Sequence, residues 1–188
     1  MKYARLIILS IIFLTVGLLG QAKATIVDFS DVNGFKTFQD QNTGRIWLDL
    51  NNFSFKTYDE MRTAAIASGF TVAGYEHVNQ LLSSLPDPRA NWNSYSSIMG
   101  SSASRNIIWG GYADLDIELH NWAWAFSYDS EWKFDSKGYP NNYITNSFDG
   151  DMNIWAYKSG SKAIPEPATM FLLGLGLGGL AGGRRMRN

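Results

Sequence analysis

Two short segments of β-type character, Phe35-Lys36-Thr37-Phe38-Gln39-Asp40 and Ile46-Trp47-Leu48-Asp49-Leu50, flank the polar tetrapeptide Gln41-Asn42-Thr43-Gly44. Aromatic and β-branched residues favour strands, and a short connection containing Asn and Gly is typical of a hairpin. The stretch therefore predicts two antiparallel strands joined by a tight turn. A further β-type segment, residues 25–29, precedes them and is followed by the turn sequence Asp31-Val32-Asn33-Gly34.

Two helices are predicted after this hairpin. Thr57 and Glu60 have the Thr-x-x-Glu spacing of a capping box, and Ser68-Gly69 ends the apolar repeat behind them. A second helix is predicted over residues 75–85, because four aliphatic side chains recur there at helical spacing. Residues 89–105 are rich in Ser and Asn and predict a long surface loop.

The second half of the chain has the composition of strands. Residues 107–109, Trp122-Ala123-Trp124-Ala125-Phe126 and residues 152–158 are aromatic or apolar, with polar loops between them. In the tryptophan-rich segment the aromatic side chains share one face and the alanines the other. The order of elements predicts an α+β domain in which two helices pack against a mainly antiparallel sheet.

The N-terminal segment has the character of an export signal. Lys2 and Arg5 precede an apolar run, and Ala22-Lys23-Ala24 fits the small-x-small pattern of a cleavage site. We therefore expect residues 1–24 to be a signal peptide and the exported protein to begin near Thr25.

The C-terminal segment has three parts in a fixed order. Pro165-Glu166-Pro167 precedes an uncharged, Gly-rich run over residues 168–183, and the basic residues Arg184, Arg185 and Arg187 follow. The run is slightly shorter than the roughly 20 residues of an ordinary membrane helix. Arginines behind it are expected to stay in the cytoplasm. The segment therefore predicts a C-terminal transmembrane helix that stops export.

This combination of motif, apolar helix and basic cluster resembles the PEP-CTERM sorting signal of Gram-negative bacteria, also called the ice-binding protein C-terminal domain. The resemblance implies that an exosortase-type membrane enzyme recognises Pro165, Glu166 and Pro167 and processes the tail. It also implies association with exopolysaccharide or biofilm, by way of the inner membrane to the cell surface or extracellular matrix. The predicted division of the chain is a signal peptide at 1–24, an exported α+β domain at 25–158, a linker at 159–164 and a sorting segment at 165–188.

The exported part is acidic and contains no cysteine. Residues 25–164 carry 10 basic and 16 acidic residues, which gives a net charge near −6. Such a surface repels phosphate backbones, so we expect no nucleic-acid partner. Without disulfides, stability must come from burial, and the aromatic residues supply the apolar area.

A second resemblance concerns the first half of the exported domain. Asp40-x-x-Thr43-Gly44-x-x-Trp47-Leu48-Asp49-Leu50, followed by Tyr58-Asp59-Glu60, resembles the opening block of many PEP-CTERM passenger domains. Residues 69–73 resemble their next block, although this chain has Phe70, Thr71 and Gly74 where the pattern has Trp, Arg and Thr. The pattern is similar to the C-terminal domain of Legionella collagen-like adhesins and implies a C-type-lectin-like fold. The Glu-Pro-Asn and Trp-Asn-Asp signatures of calcium-dependent sugar sites are absent from the sequence.

Few residues offer catalytic chemistry. His77 and His120 are the only histidines, and each is expected to be solvated or to cap a backbone group. Asp114, Asp116 and Glu118 alternate, so in an extended segment they would project to one side. Paired acids can cleave glycosides when a defined distance separates them across a sugar-sized cleft, and spacing in sequence does not show that distance.

A calcium site is a weak alternative for the last acidic turn. Asp149, Asp151 and Asn153 stand at positions one, three and five of an EF-hand-like loop. Position six is Ile154 and position twelve is Gly160, where an EF-hand has Gly and Glu. An ordinary acidic turn is therefore favoured, and we expect no metal.

Several tryptophans could stack on sugar rings. Trp109, Trp122 and Trp124 are expected to be mostly core residues. Trp92 and Trp132 are expected to be more exposed, and with Asp114 and Asp116 they are the candidate ligand-binding residues.

The sequence as a whole predicts a non-enzymatic exported protein of the envelope or matrix, with no cofactor. Its expected partners are an exosortase-type enzyme, the membrane through the C-terminal helix, and exopolysaccharide. Two alternatives stay open: a carbohydrate-binding module, and a secreted glycoside-active enzyme that uses the acids at 114–118.

Overall fold

The computed structural model describes residues 26–101, 106–142 and 152–160. The strands in these ranges are β1 Ile26–Val32, β2 Phe35–Asp40, β3 Ile46–Leu48, β4 Thr71–Val72, β5 Ile107–Ala113, β6 Leu119–Phe126, β7 Lys133–Phe134, β8 Tyr139–Pro140, β9 Asn153–Ile154 and β10 Ala156–Lys158. The helices are α1 Tyr58–Ala67, α2 Tyr75–Ser83 and α3 Trp92–Met99. The α+β class is confirmed.

The first sheet contains the predicted hairpin. Its strand order is β1-β2-β3-β10-β4, and its pairs are antiparallel. Between β1 and β2, Asn33 has φ 53° and Gly34 has φ 84°, the positive values of a type I′ turn, whose twist suits a two-residue hairpin. Phe38 lies opposite Trp47 in the register, and both side chains are fully buried with their rings stacked at 6.4 Å.

The second sheet is formed by the strands of the second half. Its order is β7-β6-β5-β9, with β8 also paired to β6. Strands β5 and β6 form a long antiparallel hairpin, from Ile107 opposite Phe126 to Ala113 opposite His120. The short β9 runs parallel to β5, so the sheet is mainly but not wholly antiparallel. The predicted single sheet is therefore two sheets.

One continuous segment connects the two sheets. β9 belongs to the second sheet and β10 to the first, and the fully buried Trp155 stands between them. Trp155 donates its backbone N–H to the carbonyl of Gly111 (2.8 Å) and accepts a hydrogen bond from the N–H of Ala73 (2.9 Å). A Cβ at Gly110 would lie 3.0 Å from the indole nitrogen of Trp155, so the absence of a side chain there makes room for the crossing.

Helix α1 begins as the capping box predicts. Thr57 Oγ1 accepts a hydrogen bond from the N–H of Glu60 (3.1 Å), and Glu60 Oε2 accepts one from the N–H of Thr57 (2.8 Å). Met61 and Ala65, four residues apart, are fully buried in a core cluster to which both sheets contribute. Helix α2 ends at Ser83, two residues before the predicted end, although Leu85 is still buried.

The predicted surface loop at 89–105 is wrong over half its length, because α3 occupies Trp92–Met99. The helix is held by burial: Tyr95 and Met99 are buried, and Trp92 packs partly against the same core cluster. These three residues have the spacing i, i+3, i+7 of one helix face, a signal that the Ser-rich and Asn-rich composition obscures.

Candidate functional site

The acids at 114–118 do not form the extended row that the alternation predicts. They lie in the connection between β5 and β6, and two of them bond the backbone of that connection. Asp114 Oδ1 accepts a hydrogen bond from the N–H of Asp116 (3.1 Å), and Asp116 Oδ1 accepts one from the N–H of Glu118 (3.0 Å). Leu115 and Ile117 between them are exposed, as are Asp116 and Glu118, whereas Asp114 is partly buried.

The hydrogen bonds around Asp114 also set its acidity. The bond from the backbone N–H of Asp116 lowers the pKa of Asp114, and the side-chain amide of Asn121 also donates to this carboxylate. The general acid of a glycosidase needs the opposite, a raised pKa that keeps it protonated. The geometry of this loop is that of a turn stabilised by its own carboxylates.

The connection is also held from β8. The side chain of Asn141 donates to the carbonyl of Ile117 (2.7 Å), and its backbone N–H donates to the carbonyl of Glu118 (3.0 Å). Asn141 is buried and follows directly after β8. The shape of the 114–118 loop thus depends on a residue more than 20 positions further along the chain.

Trp92 and Trp132 are partly buried and pack against the core cluster that contains Tyr95 and Leu85. Trp132 donates its indole N–H to the carbonyl of Leu85 (3.2 Å), and its ring lies 6.1 Å from that of Tyr95. These contacts tie the end of α2 and helix α3 to the segment before β7. Trp92 and Trp132 are thus more exposed than Trp109 but only partly so, and their binding role stays a prediction.

The remaining tryptophans divide between the core and its edge. Trp47 and Trp155 are fully buried, and Trp109 is nearly so. Trp122 and Trp124, which we expected in the core, are only partly buried, like Trp92 and Trp132. The ring of Trp122 is T-shaped to that of Trp109 at 5.4 Å.

On strand β6 the small side chains lie on one fully buried face, and the large ones lie on the opposite face, where they pack against the core cluster that includes α1 and keep part of their surface exposed. Ala123 and Ala125 are fully buried, whereas Trp122, Trp124 and Phe126 are partly buried. The sequence shows that the alanines and aromatics occupy opposite faces, but it does not show which face is the inner one. Trp122 and Trp124, which the sequence predicts to be mostly core residues, therefore join Trp92 and Trp132 as candidates for ligand binding.

The expectation that His120 is solvated is wrong; the alternative, a bond to a backbone group, is not contradicted. Its side chain is fully buried, stacks on the ring of Tyr58 at 4.3 Å, and has Nδ1 3.3 Å from the side-chain oxygen of Asn141. Burial lowers the pKa of His120, and the hydrogen bond with Asn141 offsets this only in part. Gly111 makes the stack possible, because a Cβ there would lie 2.8 Å from the Tyr58 ring.

His77 is partly buried and packs against Tyr157, with ring centroids 4.8 Å apart. Desolvation, with Arg45 nearby, lowers the pKa of His77. Neither histidine contacts a nucleophilic side chain in the hydrogen bonds of the described residues, and both belong to aromatic packing.

Asn153, the last residue of the weak calcium alternative, is almost fully buried in β9. Its side-chain oxygen accepts a hydrogen bond from the N–H of Phe53 (2.8 Å), and its side-chain amide donates to the carbonyl of Phe53 (3.1 Å). Asp149 and Asp151 lie outside the described residues. Within the ranges that the structure covers, no group of three or more acidic or histidine side chains is placed to hold a metal ion.

The two targeting segments lie outside the described residues. This applies to the predicted signal peptide at 1–24, to the sorting motif Pro165-Glu166-Pro167 and to the basic residues Arg184, Arg185 and Arg187. Among the helices that the structure does describe, none has the length and apolar character needed to cross a bilayer.

Comparison with known proteins identifies the C-terminal segment. Residues 163–187 match the family model of the PEP-CTERM protein-sorting motif. No curated protein and no solved structure matches the chain. The likeness of the central region to lectin-like adhesin domains has no support from these comparisons and stays a prediction.

The chain therefore carries a PEP-CTERM sorting motif, as its Pro-Glu-Pro sequence, apolar run and arginines predict. The motif indicates an exported protein that an exosortase-type system handles at the membrane.

Proposed function

We propose that the protein is a non-catalytic component of the cell surface or extracellular matrix that associates with exopolysaccharide after exosortase-dependent sorting. The sorting motif at residues 163–187 is the observation that carries this proposal. It gives the protein a route through the membrane, and the domain delivered by that route is the acidic, cysteine-free α+β domain.

The architecture supports a binding role better than an enzymatic one. The carboxylates of Asp114 and Asp116 are engaged with the backbone of their own loop, and the buried His120 stacks in an aromatic cluster. A binding domain needs only an accessible surface of suitable chemistry, and the partly exposed aromatic row on β6 is one.

The sorting part of the proposal is tested by replacing Pro165, Glu166 and Pro167 with alanine in the native host. We expect the full-length form to accumulate in the membrane fraction and the surface or matrix form to disappear, as followed by immunoblot. Thr169→Ala, just beyond the motif, is the matched control and should be processed normally. Unchanged processing and delivery of the triple variant would refute recognition of the motif.

The enzymatic alternative is tested separately. The purified protein is incubated with exopolysaccharide from the host, and reducing ends are measured over time. We expect no release. Release that disappears in Asp116→Asn would overturn the non-catalytic proposal and favour a glycoside-active enzyme.

A further inference from the structure

The partly exposed face of β6 is continued by a fixed aromatic side chain in the turn that follows. Tyr128 is 66% exposed, and its ring stacks on that of Phe126 with centroids 5.2 Å apart and planes 4° apart. We refer to Trp122, Trp124, Phe126 and Tyr128 together as the aromatic face.

The turn that carries Tyr128 is held by Asp129. Its side-chain Oδ2 accepts a hydrogen bond from the N–H of Phe126 (2.9 Å), and its own N–H donates to the carbonyl of Phe126 (3.0 Å). The ring of Tyr128 is therefore positioned before any ligand arrives, and an ordered aromatic loses little conformational entropy on binding.

An ion pair borders the aromatic face at the edge of the sheet. Lys133 of β7 lies opposite Trp124 in the register, and directly opposite side chains in an antiparallel pair share a face. Lys133 Nζ lies 2.7 Å from Asp129 Oδ1. Burial alone would raise the pKa of Asp129, but the bonds from Lys133 and from the N–H of Phe126 outweigh it and lower the pKa. The carboxylate thus stays charged beside the rings.

Core stability alone does not account for this arrangement. An aromatic side chain carries roughly 150–250 Å² of surface, and burial contributes about 25 cal/mol per Å². With Ala123 and Ala125 on the fully buried face, β6 places its larger apolar area where part of it stays in water. Trp124 packs partly against the core cluster that contains Trp109, and the rest of its side chain stays exposed.

The accessible area and the charge of the aromatic face indicate which class of ligand it can bind. Four partly exposed rings leave on the order of 300 Å² accessible, judged from the area of an aromatic side chain. That is less than the roughly 800 Å² per side of a stable protein interface. The border is an ion pair without net charge, and the net charge near −6 of residues 25–164 repels polyanions.

We propose, resting on the exopolysaccharide association above, that the aromatic face binds a neutral polysaccharide. Trp124 and Tyr128 stack on the C–H faces of successive sugar rings, where apolar hydrogens meet the aromatic π surface. Lys133 and Asp129 donate to and accept from the sugar hydroxyls at the edge.

Calorimetric titration of the full-length protein, purified in a neutral detergent, tests this proposal. The probes are cellohexaose, xylohexaose and N-acetylchitohexaose, with hexagalacturonate as the charged comparison. We expect at least one neutral hexasaccharide to bind and the charged one not to bind. Trp124→Ala and Tyr128→Ala should each weaken binding at least about tenfold, the effect of losing 1.4 kcal/mol of binding free energy.

Two further variants keep this test independent of folding. Tyr75→Ala removes a side chain that is 47% exposed and packs on Tyr112 and Phe134, away from the aromatic face; it should bind normally. Trp124→Phe keeps a ring in place and should lose less affinity than Trp124→Ala.

Three results would overturn the proposal. The first is that no neutral hexasaccharide binds, and the second is that the Trp124→Ala and Tyr128→Ala variants bind with the same affinity as the wild type. The third is self-association in sedimentation velocity that Trp124→Ala abolishes, because the aromatic face would then bind a second copy of the chain. Matrix association in the host that survives the Trp124→Ala/Tyr128→Ala double variant refutes this site but leaves the proposed function intact. Absence of the wild-type protein from the exopolysaccharide matrix would refute the proposed function itself.

Discussion

Replacing Asn153 by alanine should cost a large part of the stability of the exported domain. The side chain is 1% exposed and makes two hydrogen bonds to the backbone of Phe53, a residue 100 positions earlier in the chain. Each hydrogen bond contributes about 1 kcal/mol to the free energy of unfolding. The backbone N–H and carbonyl of Phe53 would also lose their partner in a partly buried site, so we expect the free energy of unfolding to fall by about 2 to 4 kcal/mol in total.

The assay is urea unfolding of a fragment covering residues 25–164, followed by tryptophan fluorescence. With an m-value of about 2 kcal/mol per molar urea, the midpoint should fall by about 1 to 2 M. Asn142→Ala removes an exposed amide that follows β8 and is the matched control; its free energy of unfolding should stay within about 0.5 kcal/mol of the wild-type value. If Asn153→Ala and Asn142→Ala unfold at the same urea concentration, the reasoning from the Phe53 contacts is wrong.

The same unfolding experiment in millimolar calcium distinguishes a structural role of Asn153 from a role as a calcium ligand. A structural residue gives midpoints that do not depend on calcium. If calcium raises the wild-type midpoint and Asn153→Ala removes the increase, then Asn153 is a calcium ligand and the weak calcium alternative is correct.

Three other predictions follow from the packing around α1 and His120. Gly111→Ala should lower the free energy of unfolding by about 1 to 3 kcal/mol, since its Cβ would lie 2.8 Å from the Tyr58 ring. In urea unfolding, the double variant Gly111→Ala/Tyr58→Ala should lose less stability than the sum of the two single variants, because Tyr58→Ala removes the clash. Strictly additive losses would contradict the clash. Burial lowers the pKa of His120 in the folded protein, so as pH falls below about 6.5, the ordinary pKa of histidine, the unfolded state binds a proton first and stability should decline. Melting temperatures of His120→Gln should depend less on pH than those of the wild type, with His77→Gln as the comparison. Thr57→Ala should cost about 0.5 to 2 kcal/mol through the lost N-cap, measured as a lower thermal midpoint, and an unchanged midpoint would show that the cap is not stabilising.

Local signals in the sequence predicted the elements that local chemistry determines. The hairpin around residues 41–44 and the capping box of Thr57 and Glu60 are confirmed, because turn and cap preferences act over a few residues. The second helix was also predicted in place, since its apolar repeat is regular. These features need no information about distant parts of the chain.

Helix α3 shows where composition misleads. Ser and Asn dominate residues 89–105, and such residues compete with the helical backbone for hydrogen bonds. Trp92, Tyr95 and Met99 nevertheless keep one helix face, and tertiary packing of that face stabilises the helix. Three apolar positions are too few to stand out in a polar stretch.

The acidic loop could not be predicted in its observed form. Alternation of Asp114, Asp116 and Glu118 indicates one face only if the segment is extended, and the two aspartates instead bond the backbone two residues ahead. Asn141 fixes the loop from β8, and no local pattern reveals that partnership.

The sorting motif can be recognised in the sequence alone, whereas the aromatic face can be recognised only in the folded structure. A linear motif next to an apolar run can be read by a membrane enzyme from consecutive residues, so the segment at 163–187 is recognisable in the sequence itself. The aromatic face exists only because β6, the turn at Asp129 and Lys133 of β7 come together in the second sheet. Substitutions at Pro165-Glu166-Pro167 should therefore change where the protein goes without changing what it binds. Substitutions at Trp124 or Tyr128 should change what the protein binds without changing where it goes. Together, these two results would show that delivery and binding are separate properties of the chain.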